Sequence, residues 1–334
     1  MKSHRRFAVL FAAACGLAAF GAHAQPSGSA AARDAAAASY PSRPITMIVP
    51  FPPGIVDSRA RLIADRASRI LGQPIVVENK AGAGQRIGTL ALVRAPKDGY
   101  TIGVVTQASV VMAPALDPQL KYDALKDLQY LTHGYGSAFL LATHAKSGIK
   151  TTQQLFEAAR AKPGMLKFSS SGLGTAYHVW TEALFDKAGV SLLHVPYRGA
   201  AQAQNDLIGG QVDVMLTTLG AKPQVDAGQL IPLGISSEQR SELLPNVPTI
   251  KESGLDWAMT TWLGFGAPAG IPGYALDKLS AAFKQALESK DVRDILASEG
   301  AVARYTTPAE FTTMVKGEIE MARELNKRLK IELQ

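Results

Sequence analysis

Short apolar runs along the chain alternate with stretches in which apolar residues return every three or four positions. Ile45–Val49 is a β-rich run closed by Pro50-Phe51-Pro52-Pro53-Gly54, the kind of cluster that ends a strand. Asp57 is placed to cap a helix in which Ile63, Ala64, Ala67, Ile70 and Leu71 share one face up to Gly72. Residues 75–77 predict a second strand, Gly82-Ala83-Gly84 a turn, 87–93 a helix and 101–105 a third strand. The same grammar restarts near residue 147. Thr151-x-x-Gln154 has the form of a capping box. Strands then follow at 166–168, 192–195, 212–216 and 231–235, with helices at 175–188 and 200–208. Beyond 262–267 the pattern is mainly helical, near 273–288, 291–298 and 307–329. Short buried strands alternating with helices imply parallel sheets of βαβ units. Two α/β units therefore follow one another. The last third is expected to return to the first unit, giving a hinge of crossing strands.

The N-terminus has a different pattern. Lys2, Arg5 and Arg6 precede an apolar run from Phe7 to about Phe20, and Ala22-His23-Ala24 follows. These are the parts of a secretory signal peptide over 1–24, and the run is too short to span a bilayer comfortably. The only cysteine, Cys15, lies inside it, so cleavage after Ala24 leaves no thiol, and lipidation of Cys15 is the alternative. Residues 25–39 are small, polar or alanine-rich and predict a disordered leader. Removing Lys2, Arg5 and Arg6 leaves 32 of the 35 basic residues against 28 acidic ones. No basic run or interleaved aromatic series remains, which argues against nucleic acid as a partner.

Four strand-to-helix turns are rich in Gly, Ser, Thr or Pro, at 50–57, 82–86, 169–175 and 196–199. Ligands of open α/β sheets bind outside the carboxyl ends of the strands, where helix N-termini offer N–H donors to anions. Any one of these is an ordinary turn; four in corresponding places of two halves point to a cleft for a small carboxylate. Gly82-x-Gly84-x-x-x-Gly88 has the wrong spacing for a dinucleotide loop, and no phosphate loop, zinc helix or Gly-x-Ser-x-Gly elbow occurs. A triad of Ser170, His178 and Asp213 is poorly spaced, with His178 inside a helix. No cofactor, metal site or enzymatic activity is expected.

Tyr40-Pro-Ser-Arg-Pro-Ile, Ile48-Val-Pro-Phe-Pro-Pro-Gly54, Val77-Glu-Asn-Lys-Ala-Gly-Ala-Gly84 and Asp98-Gly-Tyr-Thr101 resemble the Bug-type substrate-binding proteins of tripartite tricarboxylate transporters. So do Ser169-Ser-Ser-Gly-Leu-Gly-Thr175 with His178, His194-Val-Pro-Tyr-Arg-Gly199, Gly209-Gly-Gln-Val-Asp213, Leu244-Pro-Asn-Val-Pro-Thr249 and Ala267-Pro-Ala-Gly270. The resemblance, in one order from about 40 to 330, implies a two-domain periplasmic-binding-protein-like clamshell. Domain 1 would be 40–140 with 263–334, and domain 2 would be 141–262. It also implies a monomer that captures a small organic acid or amino-acid-like ligand in the periplasm and hands it to membrane permease subunits. A ligand-presenting sensor and, less favoured, an exported serine hydrolase are the alternatives.

The binding residues expected from the turns and the resemblance are Gly54, Asp57, Gly84, Gln85, Arg86 and Thr106 on one side. On the other are Ser169, Ser170, Gly172, Gly174, Thr175, His178, Tyr197, Gly199, Asp213 and Thr217. The chain departs from the family pattern in the first loop. Gly54-Ile55-Val56-Asp57 is one residue shorter than usual and lacks a second glycine, and Gln85-Arg86 stands where Gly-Asn is usual. Arg86 is expected either to pair with a second acidic group on the ligand or to be a solvated helix-start residue, with Ile55 and Val56 favouring an apolar portion. Asp213 would accept from a ligand amine or hydroxyl, or cap a turn.

Overall fold

A computed structural model describes residue 35 and residues 37–329 of the 334-residue chain. The signal-peptide segment 1–24, Cys15 and most of the 25–39 leader lie outside the described residues. Residues 35 and 37–39 are helical where the sequence predicts disorder; alanine's high helix propensity favours such a turn. The chain separates into two compact units, Met1–Tyr40 and Pro41–Gln334, and the second carries the fold.

Ten strands form one connected sheet: β1 (Ile45–Val49), β2 (Ile75–Asn79), β3 (Thr101–Thr106), β4 (Leu128–His144), β5 (Lys167–Ser170), β6 (Leu193–Pro196), β7 (Val214–Thr218), β8 (Leu230–Ile235), β9 (Thr260–Pro268) and β10 (Ala301–Ala303). The main path runs β2-β1-β3-β9-β4-β7-β5-β6, with β8 and β10 also paired to β4. The helices used below are α1 (Ile55–Leu71), α2 (Arg86–Val93), α3 (Ala113–Leu116), α4 (Thr152–Ala161), α5 (Ala176–Ala188), α6 (Ala200–Gly209), α7 (Lys222–Asp226), α8 (Gly273–Glu288), α9 (Lys290–Ser298) and α10 (Pro308–Leu329).

β1 lies between β2 and β3, parallel to both, and four of its five side chains are buried, as an inner parallel strand requires. Edge strand β2 alternates half-buried Ile75, Val77 and Asn79 with exposed Val76 and Glu78. α1 lays Ala60, Ile63, Ala64 and Ala67 on the core and ends at Gly72, whose φ of 71° is the left-handed C-cap conformation. α4 begins with Gln154 N–H donating to Thr151 Oγ1 at 3.1 Å. The capping box is not quite reciprocal, because Gln154 Oε1 accepts from Lys150 N–H, one residue earlier than the motif has it.

The sequence pattern misses β4, a 17-residue strand whose first half pairs with β9 through Ala138 and whose second pairs with β7 and β8 from Phe139 or Leu140. Gly134, Gly136 and polar Thr132 and His133 interrupt its apolar run, which hides a single long element. Its register fixes the site. Thr106, the last residue of β3, faces Leu263, which in turn faces Tyr135 of β4. Thr218, the last residue of β7, faces Phe139. Those levels are four residues apart, roughly 13 Å at ~3.3 Å per residue. The carboxyl ends of both sets of parallel strands therefore point at each other across the middle of β4. One continuous core runs beneath, with Phe168, Trp180 and Phe185 in one half and Val105, Tyr130 and Phe311 in the other.

Candidate functional site

On the first side, α1 starts at Gly54 with no side-chain cap. Helix geometry leaves its leading N–H groups without intrahelical acceptors. Gly54 has φ 162°, an extended conformation, and a Cβ there would have only Pro52 O within 4.0 Å. Asp57 is the third residue of the helix, not its cap. Its buried carboxylate accepts from Arg61 Nε at 2.9 and 3.0 Å and from Asn79 Nδ2 at 2.7 Å. Arg61 holds its acid well below the usual carboxylate range, with Asn79 adding to the effect and burial opposing it. Asn79 also donates to Phe51 O at 2.9 Å. Asp57 thus ties the Pro50–Gly54 loop to the end of β2, and its acceptors are largely used within the chain.

The second loop is held in a rare backbone conformation. Gly82, Ala83, Gly84 and Gln85 all have positive φ, at 128°, 45°, 59° and 75°. The left-handed region costs a non-glycine residue about 1–2 kcal/mol. Gln85 occupies it, and its Oε1 accepts from Thr106 Oγ1 at the end of β3. Gln85 and Thr106 are therefore joined across the strand ends. Arg86 pairs with Asp117 at 3.0 Å beside a surface cavity of about 270 Å³ that Tyr122 and Lys121 also line. Arg86 is half-exposed at the start of α2, as the helix-start reading has it, and its partner is the chain's own carboxylate.

On the second side, the β5–α5 turn is braced by its own hydroxyls and two imidazoles. Thr175 caps α5, its Oγ1 accepting from His178 N–H at 3.3 Å and donating to Gly172 O at 2.8 Å. Gly174 N–H donates to His178 Nδ1 at 3.1 Å, which puts the proton of that ring on Nε2, toward Glu182 at 3.8 Å. Gly172 has φ 135°, and a Cβ on it would stand 3.3 Å from Tyr197 O. Ser170 Oγ lies 2.7 Å from His194 Nε2. The His194 ring stacks on His178 at 3.8 Å and on Phe168 at 4.6 Å. Burial, and then the neighbouring His178, push its pKa down to about 3. The stack therefore braces the turn, with the His194 ring neutral.

The remaining expected residues divide. Tyr197 follows β6, its N–H on Ser170 O at 3.1 Å and its hydroxyl on Asp206 at 2.7 Å; Gly199 begins α6 with no side-chain cap. Thr217 is buried and donates to Gln204 at 3.2 Å. Ser169 is buried, with Ala203 O at 3.5 Å. Asp213 is at the wrong end. It precedes β7, its N–H donates to Lys167 O, and its carboxylate accepts from Lys167 N–H at 2.7 Å. That is the amino end of β5, opposite Ser170, so Asp213 fastens the strands and the Ser170–His178–Asp213 triad does not assemble. Of the two readings of Asp213, the turn-capping one describes its contacts.

Three residues at this end of the sheet escape sequence reasoning. Asn79 lies just past the predicted 75–77 strand, before the turn, and His194 alternates with apolar neighbours like a core position. Gln107 follows β3, is 1% exposed, and donates to Thr260 O and Glu318 Oε2, both at 3.0 Å. Glu318, on α10, also accepts from Trp262 Nε1 at 2.9 Å, and burial raises its pKa to about 7. Their only signal in sequence is a polar residue inside an apolar pattern. Among the described residues no group of His, Cys, Asp and Glu could hold a metal ion, and no helix is long and apolar enough to cross a membrane. What the geometry offers is a pair of uncapped or hydroxyl-capped helix N-termini, with glycine backbone close by, facing each other over β4. Such an arrangement is suited to an anion.

Comparison with known proteins agrees with that chemistry. The family model for the tripartite tricarboxylate transporter family receptor matches residues 59–331. Protein BugT of Bordetella pertussis is 34% identical over 301 residues, covering 87% of this chain and 92% of its own. The UPF0065 protein in the tcbD-tcbE intergenic region of Pseudomonas sp. strain P51 is 37% identical over 286 residues, covering 84% and 85%. Among solved structures, R. palustris Rpa4515 with adipate has a TM-score of 0.74 at 29% identity, covering 88% of this chain and 99% of that one. MatC (Rpa3494) from Rhodopseudomonas palustris with bound malate has a TM-score of 0.70 at 30% identity, covering 86% and 99%. The periplasmic binding protein BugD has a TM-score of 0.71 at 30% identity, covering 88% and 100%. With most of its length matched in sequence and fold, this chain belongs to the receptor family of the tripartite tricarboxylate transporters.

Proposed function

We propose that this receptor captures a small organic acid by its carboxylate, between the N-terminus of α1 with the 82–86 loop on one side and the 170–175 and 196–199 turns on the other. The observation that carries the proposal is the register of β4, which sets these two groups of N–H donors opposite each other. Adipate in Rpa4515 and malate in MatC, both similar to this chain over most of its length, support a carboxylate as the guest. The lobes are residues 40–140 with 263–334, and 141–262. They close on the ligand because it touches both, so its binding energy favours the closed state. Residues 1–24 direct export to the periplasm, where one copy of the chain supplies the whole site and delivers the acid to the permease.

Gly54, Gly84, Gln85 and Thr106 act from the first lobe; Gly172, Gly174, Thr175, Tyr197 and Gly199 act from the second, with buried Ser170 bracing their turn through His194. Asp57 and His178 act indirectly, by holding the loops. The Ser170–His194 pair speaks for bracing rather than hydrolysis. Ser170 is fully buried, and a histidine with a pKa of about 3 is a weak general base at neutral pH. The test is a thermal-shift screen of residues 25–334 against mono-, di- and tricarboxylates and amino acids. A ligand at ~100 times its Kd stabilises by about 2.7 kcal/mol. The proposal expects at least one carboxylate to do so; stabilisation only by uncharged or cationic solutes would overturn it.

A further inference from the structure

The cations at the carboxyl ends of the parallel strands are, with one exception, already neutralised. Arg59 pairs with Glu299, Arg61 with Asp57, Lys80 with Glu78, Arg86 with Asp117 and Lys222 with Asp226. Arg198 is the exception: among the described residues it is the one cation of these loops without an ion pair or hydrogen bond, and it is exposed. Its backbone is nonetheless fixed on both sides. Tyr197 N–H is bound to Ser170 O and its hydroxyl to Asp206, while Gly199 leads directly into α6. The turn that carries Arg198 also packs against the β5–α5 turn, with Tyr197 O 3.3 Å from the Cβ position of Gly172.

We propose that Arg198 is the specificity-determining residue of the site, pairing with a second acidic group and so selecting dianionic over monoanionic ligands. This rests on the carboxylate reading above. The helix N-termini supply only partial charges and can satisfy one carboxylate without any cation. A second full negative charge carried into the cleft would be desolvated there, and burying an unpaired charge is costly. A guanidinium on a rigid turn answers that need, since it stays charged and meets a carboxylate with two parallel N–H donors. An unpaired arginine pays no cost of breaking a resident ion pair when the ligand arrives, whereas Arg86 would have to leave Asp117. That difference is why the role falls to Arg198.

The test is calorimetric titration of the purified protein and its Arg198→Gln and Arg198→Lys variants with matched acids: succinate and butyrate, glutarate and pentanoate, adipate and hexanoate. The readout is the ratio of monoacid to diacid Kd at one chain length. Wild type is expected to prefer the diacid. Arg198→Gln should reduce the ratio about tenfold or more, the scale of a charge-assisted hydrogen bond, and Arg198→Lys should retain part of it. A diacid preference unchanged in Arg198→Gln, or a wild type that binds both acids equally, overturns this inference and leaves the carboxylate reading standing. Where the wider thermal-shift screen finds a different carboxylate, the ratio is read on that acid and on its analogue lacking one carboxyl, and a preference that is absent or unchanged in Arg198→Gln overturns the inference in the same way. Failure of both screens removes the carboxylate reading itself.

Discussion

Replacing Asp57 by alanine separates a residue that holds the binding loop from one that touches the ligand. The carboxylate accepts one hydrogen bond from Asn79 and two contacts from Arg61. Arg61 is 48% exposed on its side chain and will regain water, so its share of the loss is small. Asn79 is held between Asp57 and Phe51 O, and its lost bond is to a buried charged group, worth about 1.5–3 kcal/mol. The expected cost is about 2 kcal/mol, or a fall in melting temperature of roughly 3 °C for a chain of this length. Acid should erase the difference. The folded Asp57 carboxyl is held below its ordinary value, so its contribution is complete above the unfolded pKa near 3.9 and disappears as pH falls through the folded one. Thermal melts of wild type, Asp57→Ala, Asn79→Ala and the double variant give the coupling, which should be strongly non-additive. Ligand affinity should fall in both single variants together, since either one frees the loop. An Asp57→Ala protein that melts like wild type but loses its ligand, with Asn79→Ala unaffected, would refute the bracing role.

Other expectations follow from close packing and buried charge. A Cβ at position 88 would stand 2.7 Å from both Lys80 O and Pro50 Cβ, so Gly88→Ala should cost about 1–3 kcal/mol and show it in urea denaturation, where an unchanged midpoint would contradict the packing of α2 on the first loop. Burial lowers the folded pKa of His194 to about 3, so its neutral form is favoured and stability should drop as pH falls below about 6.5. Because His133, lowered to about 4 by burial, acts in the same direction, the check is the difference curve between wild type and His194→Asn. That curve should steepen below pH 6.5 and lie flat above it. Glu318 acts with the opposite sign: its folded pKa of about 7 lies above the unfolded value near 4.3, so stability is lost as pH rises between the two. Glu318→Gln should therefore gain melting temperature relative to wild type on going from pH 5 to pH 8, and a constant difference would show that the carboxyl is not perturbed.

Much of the fold was legible because inner strands read as unbroken apolar runs and helices as one-faced repeats. β1, β3, α1, α5 and the three C-terminal helices α8, α9 and α10 lie close to their expected spans. What escaped was long-range or backbone-driven. β4 carries Gly134, Gly136 and polar residues in mid-strand, because both ladders need it at the crossing and neither pattern is local. The segment Ala108–Met112 is a π-helical turn, a wider helix with no period of its own in sequence. At the proposed site, the glycine- and hydroxyl-rich stretches were legible as turns at strand ends, while their partners were not. Nothing local to Arg86 reveals Asp117, 31 positions later, which the fold brings beside it. Asp213 lies at the mouth of a strand, and only pairing with Lys167 reveals which end of the sheet that is. His194 became visible as a brace only when the parallel pairing of β5 and β6 set it beside Phe168.

The central claim is that one ligand is held by helix N-termini from both halves at once. Hydrogen exchange measured with and without a stabilising carboxylate tests it most directly. Bound acid should slow exchange of the amides at 55–57 and of those at 171–177 together, with 199–201 following, while the amino-end contacts around Lys167 and Asp213 stay unchanged. Protection confined to one half, or appearing instead around Arg86 and Tyr122 at the surface cavity, would contradict the account.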